Sequence, residues 1–212
     1  MNVREQTSHI FKEEVSHILI IEKCFLYALK NVIETEITDY IQRAVLCLEV
    51  RICRLLDNAS ELIIQGSYPE SLILLRAAYE SVLTADFLQT SEMYAKKWLA
   101  GKKYEQKYIR NKLDITNKVY KFLSGSFAHP NIESICWYME KLEDKFGFKL
   151  GRHFDKRGFW QSYTLYIILS LYSFKILNKV FTKILYNNED YLKCFNYLQK
   201  IFSQIEESPK YD

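Results

Sequence analysis

The sequence predicts an all-α fold, a single multi-helix bundle of about seven to eight largely antiparallel helices, and three observations predict it. Six Gly and three Pro in 212 residues are too few turn formers for a β-sandwich or barrel. Apolar residues make up 49% of the chain and recur close to a 3.6-residue period over long stretches. Sixteen Tyr, thirteen Phe and three Trp supply bulky side chains to fill helix–helix interfaces. No Pro- or Gly-rich linker, repeat or low-complexity run divides the chain. One domain over residues 1–205 is therefore expected, with 206–212 as a polar, frayed tail.

The first helix is expected over about 6–31, where Ile10, Phe11, Val15, Ile18, Leu19, Phe25, Leu26 and Leu29 keep the helical period. A second, over about 38–65, repeats it through Ile41, Val45, Leu48, Ile52, Leu55, Leu56, Ala59, Leu62 and Ile63, and Gly66 stops it. Ser67-Tyr68-Pro69-Glu70 then fits a capping box, with Pro69 in the first turn where its missing N–H costs nothing. The third helix, about 68–89, is apolar on nearly every side, which predicts the centre of the bundle. Helices over about 92–113, 115–123 and 130–146 follow, and Gly147, Gly151 and Gly158 bracket a basic loop. A long apolar helix over about 159–186 and a last helix over about 189–205, after Asn187-Asn188, complete the bundle.

Residues 159–174 carry no charge but are shorter than the ~18–20 apolar residues of a membrane span, and Gln161, Ser162, Thr164 and Ser170 interrupt them. A buried core helix is expected there, and no membrane partner. The polar N-terminus reads as no secretory signal. Cys24, Cys47, Cys53, Cys136 and Cys194 are odd in number and lack C-x-x-C spacing, so they read as small core hydrophobes in a reducing cytoplasm.

The most informative polar group lies in the central helix. Arg76 and Glu80 are four residues apart and share a face that Thr84 extends, bordered on both sides by apolar residues. Such a pair either holds helices in register or lines a partly desolvated cleft. The second group is Ser124 with His129. His129 precedes Pro130, which pushes its backbone out of the helical region and leaves the imidazole near a helix N-terminus that disfavours its cation. It can act as a cap, accept a proton or meet an anion. Arg76, Glu80, Ser124 and His129 are thus the candidate binding cluster, with no catalytic residue assigned. There is no P-loop, G-x-G-x-x-G, H-E-x-x-H, EF-hand or G-x-S-x-G motif, and His9, His17, His129 and His153 are scattered, so neither a metal nor a cofactor is expected.

A net charge of +3 gives no global basic field, but nine basic residues face two acidic ones between 96 and 121. Lys102, Lys103, Lys107, Arg110 and Lys112 are the candidate nucleic-acid patch, interleaved with Trp98, Tyr104, Tyr108 and Tyr120. The same composition describes a solvated helix face whose aromatics turn inward.

LLRAAYE (74–80) after the GSYPES turn, and YKFLSGSFAHP (120–130), together resemble a family of uncharacterised bacterial all-helical proteins. Its members carry an L-x-R-x-x-x-E helix and a later Y-x-x-L-S-x-x-x-H segment, matched here by Arg76, Glu80, Tyr120, Leu123, Ser124 and His129. The resemblance covers about residues 40–135 and implies a helical bundle with the motif helix at its centre. A looser likeness is to HEPN bundles, many of them metal-independent ribonucleases or components of defence and toxin–antitoxin systems. Active members keep Arg and His four to six residues apart on one helix, whereas Arg76 and His129 are distant and Arg152 and His153 adjacent. The reading is a non-catalytic binding or interaction module, with a protein partner or a second copy as its occupant. The alternative is an RNA-binding protein or HEPN-like ribonuclease with His129 as acid/base and Arg76 facing phosphate.

Overall fold

Apolar periodicity sets the element order of the computed structural model, which describes residues 2–116, 118–126, 139–142, 145–148 and 152–206. The helices are α1 (Val3–Ile10), α2 (Lys12–Ile33), α3 (Tyr40–Ile64), α4 (Tyr68–Leu88), α5 (Glu92–Leu99), α6 (Gln106–Lys112), α7 (Lys118–Ser126), α8 (Lys156–Val180), α9 (Thr182–Leu185) and α10 (Glu189–Glu206). The fold is an all-α bundle. Strands β1 (Met139–Leu142) and β2 (Lys145–Phe148) add one antiparallel hairpin, with Met139 opposite Phe148 and Leu142 opposite Lys145. This corrects the helix expected over 130–146 at 139–142 and 145–146; residues 130–138 of that helix lie outside the described residues. Phe146-Gly147-Phe148 places a glycine, which costs a helix about 1 kcal/mol, between aromatics that favour strands.

Three predicted helices are broken. Phe11 separates α1 from α2, with φ −112° and ψ 46°, because its ring leaves the helical path to stack on Phe159 at 3.8 Å between centroids and 2° between planes. Gly101, at φ +91°, ends α5 in a paired backbone cap, where Lys102 N donates to Lys97 O and Gly101 N to Trp98 O, both at 2.9 Å. Phe181, fully buried, separates α8 from α9. These breaks raise the expected seven or eight helices to ten among the described residues.

The turn between α3 and α4 also differs from expectation. Ser67 makes no side-chain cap. It ends the preceding helix instead: Ser67 N donates to Leu62 O at 2.8 Å and Gly66 N to Ile63 O at 3.2 Å, with Gly66 at φ +78°. Committed to that motif at φ −98° and ψ 61°, Ser67 lacks the extended backbone from which an N-cap side chain reaches forward. The capping box of this chain lies at Asn2 and Glu5, where side chain and backbone exchange hydrogen bonds of 2.9 and 3.0 Å. Asp39, Asp155 and Asn188 cap α3, α8 and α10.

The centre is as predicted. Thirteen of the 21 residues of α4 are buried, and the helix packs on α3, α5, α6, α7 and α8. Small residues close the α4–α8 seam: Ser71 Oγ and Ser162 Oγ are 3.0 Å apart, and a Cβ at Gly158 would stand 2.5 Å from the Tyr68 ring. Thirteen residues of α8 are buried, and among the described residues no helix is long and apolar enough to cross a membrane. One carboxyl is sealed inside. Glu49 on α3 is fully buried and accepts from Ser173 of α8, and its other oxygen has no partner. Burial pushes its pKa up to about 8, so it is largely neutral at pH 7. Of the cysteines, Cys24 is a core hydrophobe, Cys53 and Cys194 are half-buried, and Cys47 is exposed; Cys136 lies outside the described residues. The exposure of Cys47 corrects its assignment to the core.

Candidate functional site

The predicted polar row lies along α4 as its spacing requires. Arg76 Nε donates to Glu80 Oε1 at 3.3 Å, with both side chains half-buried. Thr84 Oγ1 donates to Glu80 O at 2.7 Å. Elements that follow in sequence then cover the row. Gln106 of α6 donates through Nε2 to Glu80 O at 3.2 Å and to Thr84 Oγ1 at 3.1 Å. Tyr120 of α7 lies under two guanidiniums: that of Arg110 is 3.7 Å from its ring centroid and that of Arg76 is 5.6 Å away. Desolvated contacts of this kind contribute about 1–2 kcal/mol each. Arg76 and Glu80 are therefore brought together with Arg110 and Tyr120, in a seam that fastens α6 and α7 to the central helix. Ser124 lies in α7, and His129 falls outside the described residues.

The basic patch divides. Lys102, Lys103, Lys107 and Lys112 are exposed, but Arg110 is only 7% exposed and packs on Tyr120. Most of the interleaved aromatics turn inward. Tyr94 stacks on buried Phe87 at 4.5 Å, and Tyr104 and Tyr108 meet the same ring edge-on at 5.0 and 5.8 Å. Trp98 also packs against the core. Stacking on Phe87 stabilises the bundle and leaves Tyr108, at the rim, as the most exposed ring of the group.

Sequence reasoning missed a groove between α2 and α3. Leu19, Leu26 and Ile33 are 57%, 65% and 59% exposed, one residue after buried Ile18, Phe25 and Val32 and so about 100° further round the helix. Beside this ridge lies a cavity of about 410 Å³ with Phe25, Leu26, Leu29, Ile33, Val50 and Leu56 as apolar walls. Tyr166 of α8 forms its floor. The cavity also carries charge: Glu22 of α2 accepts from Ser60 Oγ of α3 at 2.5 Å, Lys30 lies further along the α2 wall, and Arg54 and Asp57 lie on the α3 wall. Burial raises the Glu22 pKa, the Ser60 hydrogen bond opposes the rise, and the charges of Asp57 and Glu61 add to it. Burial also pushes the Cys53 thiol, on the α3 wall, up to about 11. The seven-residue spacing of Leu19, Leu26 and Ile33 was the available signal. It marks a second apolar stripe on a helix whose first stripe already fills the core.

The comparisons bear on the central helices. Residues 42–118 match the model of a family of unknown function (DUF5677). The match begins in α3, takes in α4, α5 and α6, and ends at the start of α7. It thus contains the Arg76–Glu80 row, the lysine row and the α3 wall of the groove, and agrees with the resemblance to an uncharacterised helical family. Neither the curated proteins nor the solved structures contain a match.

Proposed function

We propose that the chain is a non-catalytic binding module that takes a small, largely apolar ligand in the groove between α2 and α3. The observation that carries this reading is the 410 Å³ cavity with largely apolar walls, opening beside three exposed aliphatic side chains on a helix whose other apolar stripe is buried. Exposed apolar surface on a folded helix costs free energy that an occupant recovers, at about 25 cal/mol per Å² covered. The engagement of Arg76 by Glu80 and Tyr120 supports a structural role for that arginine over phosphate chemistry. Antiparallel two-fold pairing of this ridge would set Lys23 and Lys30 against the same lysines of a second copy, which favours a ligand over self-association here. A neutral solvatochromic dye such as Nile red tests the reading. Saturable fluorescence with the wild type, largely lost in Leu26→Glu/Val50→Glu, is expected; no saturable binding, or equal binding by the variant, would overturn it.

RNA binding is the second reading, favoured by the four exposed lysines of the 102–112 stretch. It expects affinity for single-stranded RNA that falls steeply with salt, with a slope reduced by about one for each phosphate-contacting lysine replaced by Ala. Salt-insensitive or absent binding removes it.

A further inference from the structure

The groove has a polar end, and its chemistry names the head group of the occupant. Tyr166 lines the cavity, is 0% exposed, and its hydroxyl has no hydrogen-bond partner. A buried phenol in that state is destabilising until a partner reaches it. The carboxylates of Glu22 and Asp57 and the Cys53 thiol are near enough to act electrostatically on this hydroxyl, and all three line the same cavity. Ser60 occupies one Glu22 oxygen, Oε1. Two carboxylates and one unsatisfied hydroxyl therefore share one cavity whose remaining walls are mostly apolar.

Two cations, Lys30 and Arg54, line the same cavity. Lys30 is eight residues along α2 from Glu22, about 12 Å away at 1.5 Å per residue. Arg54 is exposed one turn before Asp57 on α3, itself exposed, and the two form no ion pair. Among the described residues no ion pair ties Glu22 or Asp57 to a cation, whereas Glu61, on the next turn of α3, is bridged by Arg4 at 3.1 Å. An entering cation would meet the mutual repulsion of Glu22 and Asp57 as attraction, and its N–H groups would find an acceptor in the phenol oxygen. An anionic head would be repelled by both carboxylates and would have to turn to Lys30 or Arg54, and a neutral alcohol would satisfy the phenol without using any of these charges.

We propose that the groove binds a primary amine with an apolar alkyl or aryl body, its ammonium held by Glu22, Asp57 and the Tyr166 hydroxyl and its body lying along Leu26, Leu29 and Val50. This rests on the binding reading above and names the ligand class for that site. Glu22 and Asp57 provide charge, Tyr166 provides a hydrogen-bond acceptor, and the apolar walls provide most of the affinity while discriminating little between bodies of similar size.

Calorimetric titration of the full chain with octylamine, octanol and octanoate separates the two claims. The amine is expected to bind at least tenfold more tightly than the alcohol, and the carboxylate more weakly than either. Glu22→Gln, which keeps an acceptor for Ser60, should bring the amine down to the level of the alcohol. Tyr166→Phe should weaken the amine severalfold while leaving the fold intact by circular dichroism. Equal binding of amine and alcohol by the wild type would overturn the amine assignment and leave an apolar site standing. Tighter binding of octanoate would overturn it in favour of Lys30 and Arg54 as readers of the head. If none of the three binds while Nile red does, the amine assignment falls alone; if the dye fails as well, the groove is not a ligand site.

Discussion

Helix α3 belongs to two seams that end in opposite states. Against α4 and α8 it buries Ile52, Ala59 and Ile63 completely and seals even the carboxyl of Glu49. Towards α2 it leaves a cavity lined by Val50, Arg54 and Asp57. The partners explain the contrast. On α4, apolar and small residues occupy nearly every side, including buried Ser71, Ala78, Ser81 and Ala85, so neighbours can approach from all directions. Helix α2 divides its apolar residues between two stripes. One of them, with Phe25 stacked on Phe174 at 4.2 Å, is used up against α8 and α10, and the other faces outward. A closed seam needs a neighbour for every apolar stripe, and the second stripe of α2 has none among the described residues.

The sharpest way to break this comparison is a matched pair of truncations. Leu72→Ala on α4, where the side chain is fully buried, is expected to cost about 2–5 kcal/mol. Leu26→Ala on α2, 65% exposed, should change stability by less than about 0.5 kcal/mol. Urea denaturation of both variants checks the pair, and similar costs would mean that the α2–α3 seam is closed in solution.

Next in size is the sealed carboxyl. The Glu49 pKa is raised from 4.5 to about 8 by burial. A group whose folded pKa lies above its unfolded value contributes fully below the unfolded value and loses that contribution as pH rises through the folded one. The chain should therefore lose stability progressively between pH 4.5 and about 8 on this account. Glu49→Gln, uncharged at every pH, should flatten that dependence and gain on the order of 2–4 kcal/mol at pH 8. Thermal unfolding of both proteins from pH 4.5 to 8 is the measurement. A variant curve parallel to the wild type would mean that water reaches Glu49 and that the closed seam is not dry.

The smallest effect sharpens the comparison at the far side of α4. Arg110→Lys keeps the charge but loses the planar guanidinium stacked 3.7 Å from the Tyr120 centroid, and about 1 kcal/mol should be lost. Hydrogen exchange should show that loss in α6 and α7 and not in α8. Uniform loss across the bundle would contradict the reading of Arg76, Glu80, Gln106, Arg110 and Tyr120 as a fastening for these short helices.

Much of this was legible in the residues. Periodicity alone identified the all-α class, the order of the long helices and the central place of the segment after Pro69, because a helix apolar on all sides has no stable position on a surface. The contact between Arg76 and Glu80 follows from helix geometry once the helix forms, since residues four apart share a face. Local spacing does not show what covers that face, and here Gln106, Arg110 and Tyr120, distant in sequence, cover it. The break at Phe11 depends on the stacking of its ring on Phe159, and the role of Ser67 depends on the termination of α3 before it. Leu19, Leu26 and Ile33 illustrate the same boundary. Their spacing states that they share a stripe, and tertiary packing decided that α8 and α10 took the neighbouring stripe and left this one open beside a cavity floored by a tyrosine from far along the chain. Short-range geometry is written into consecutive residues, but burial is a property of the surfaces that happen to meet, and those surfaces exist only once the whole bundle has closed.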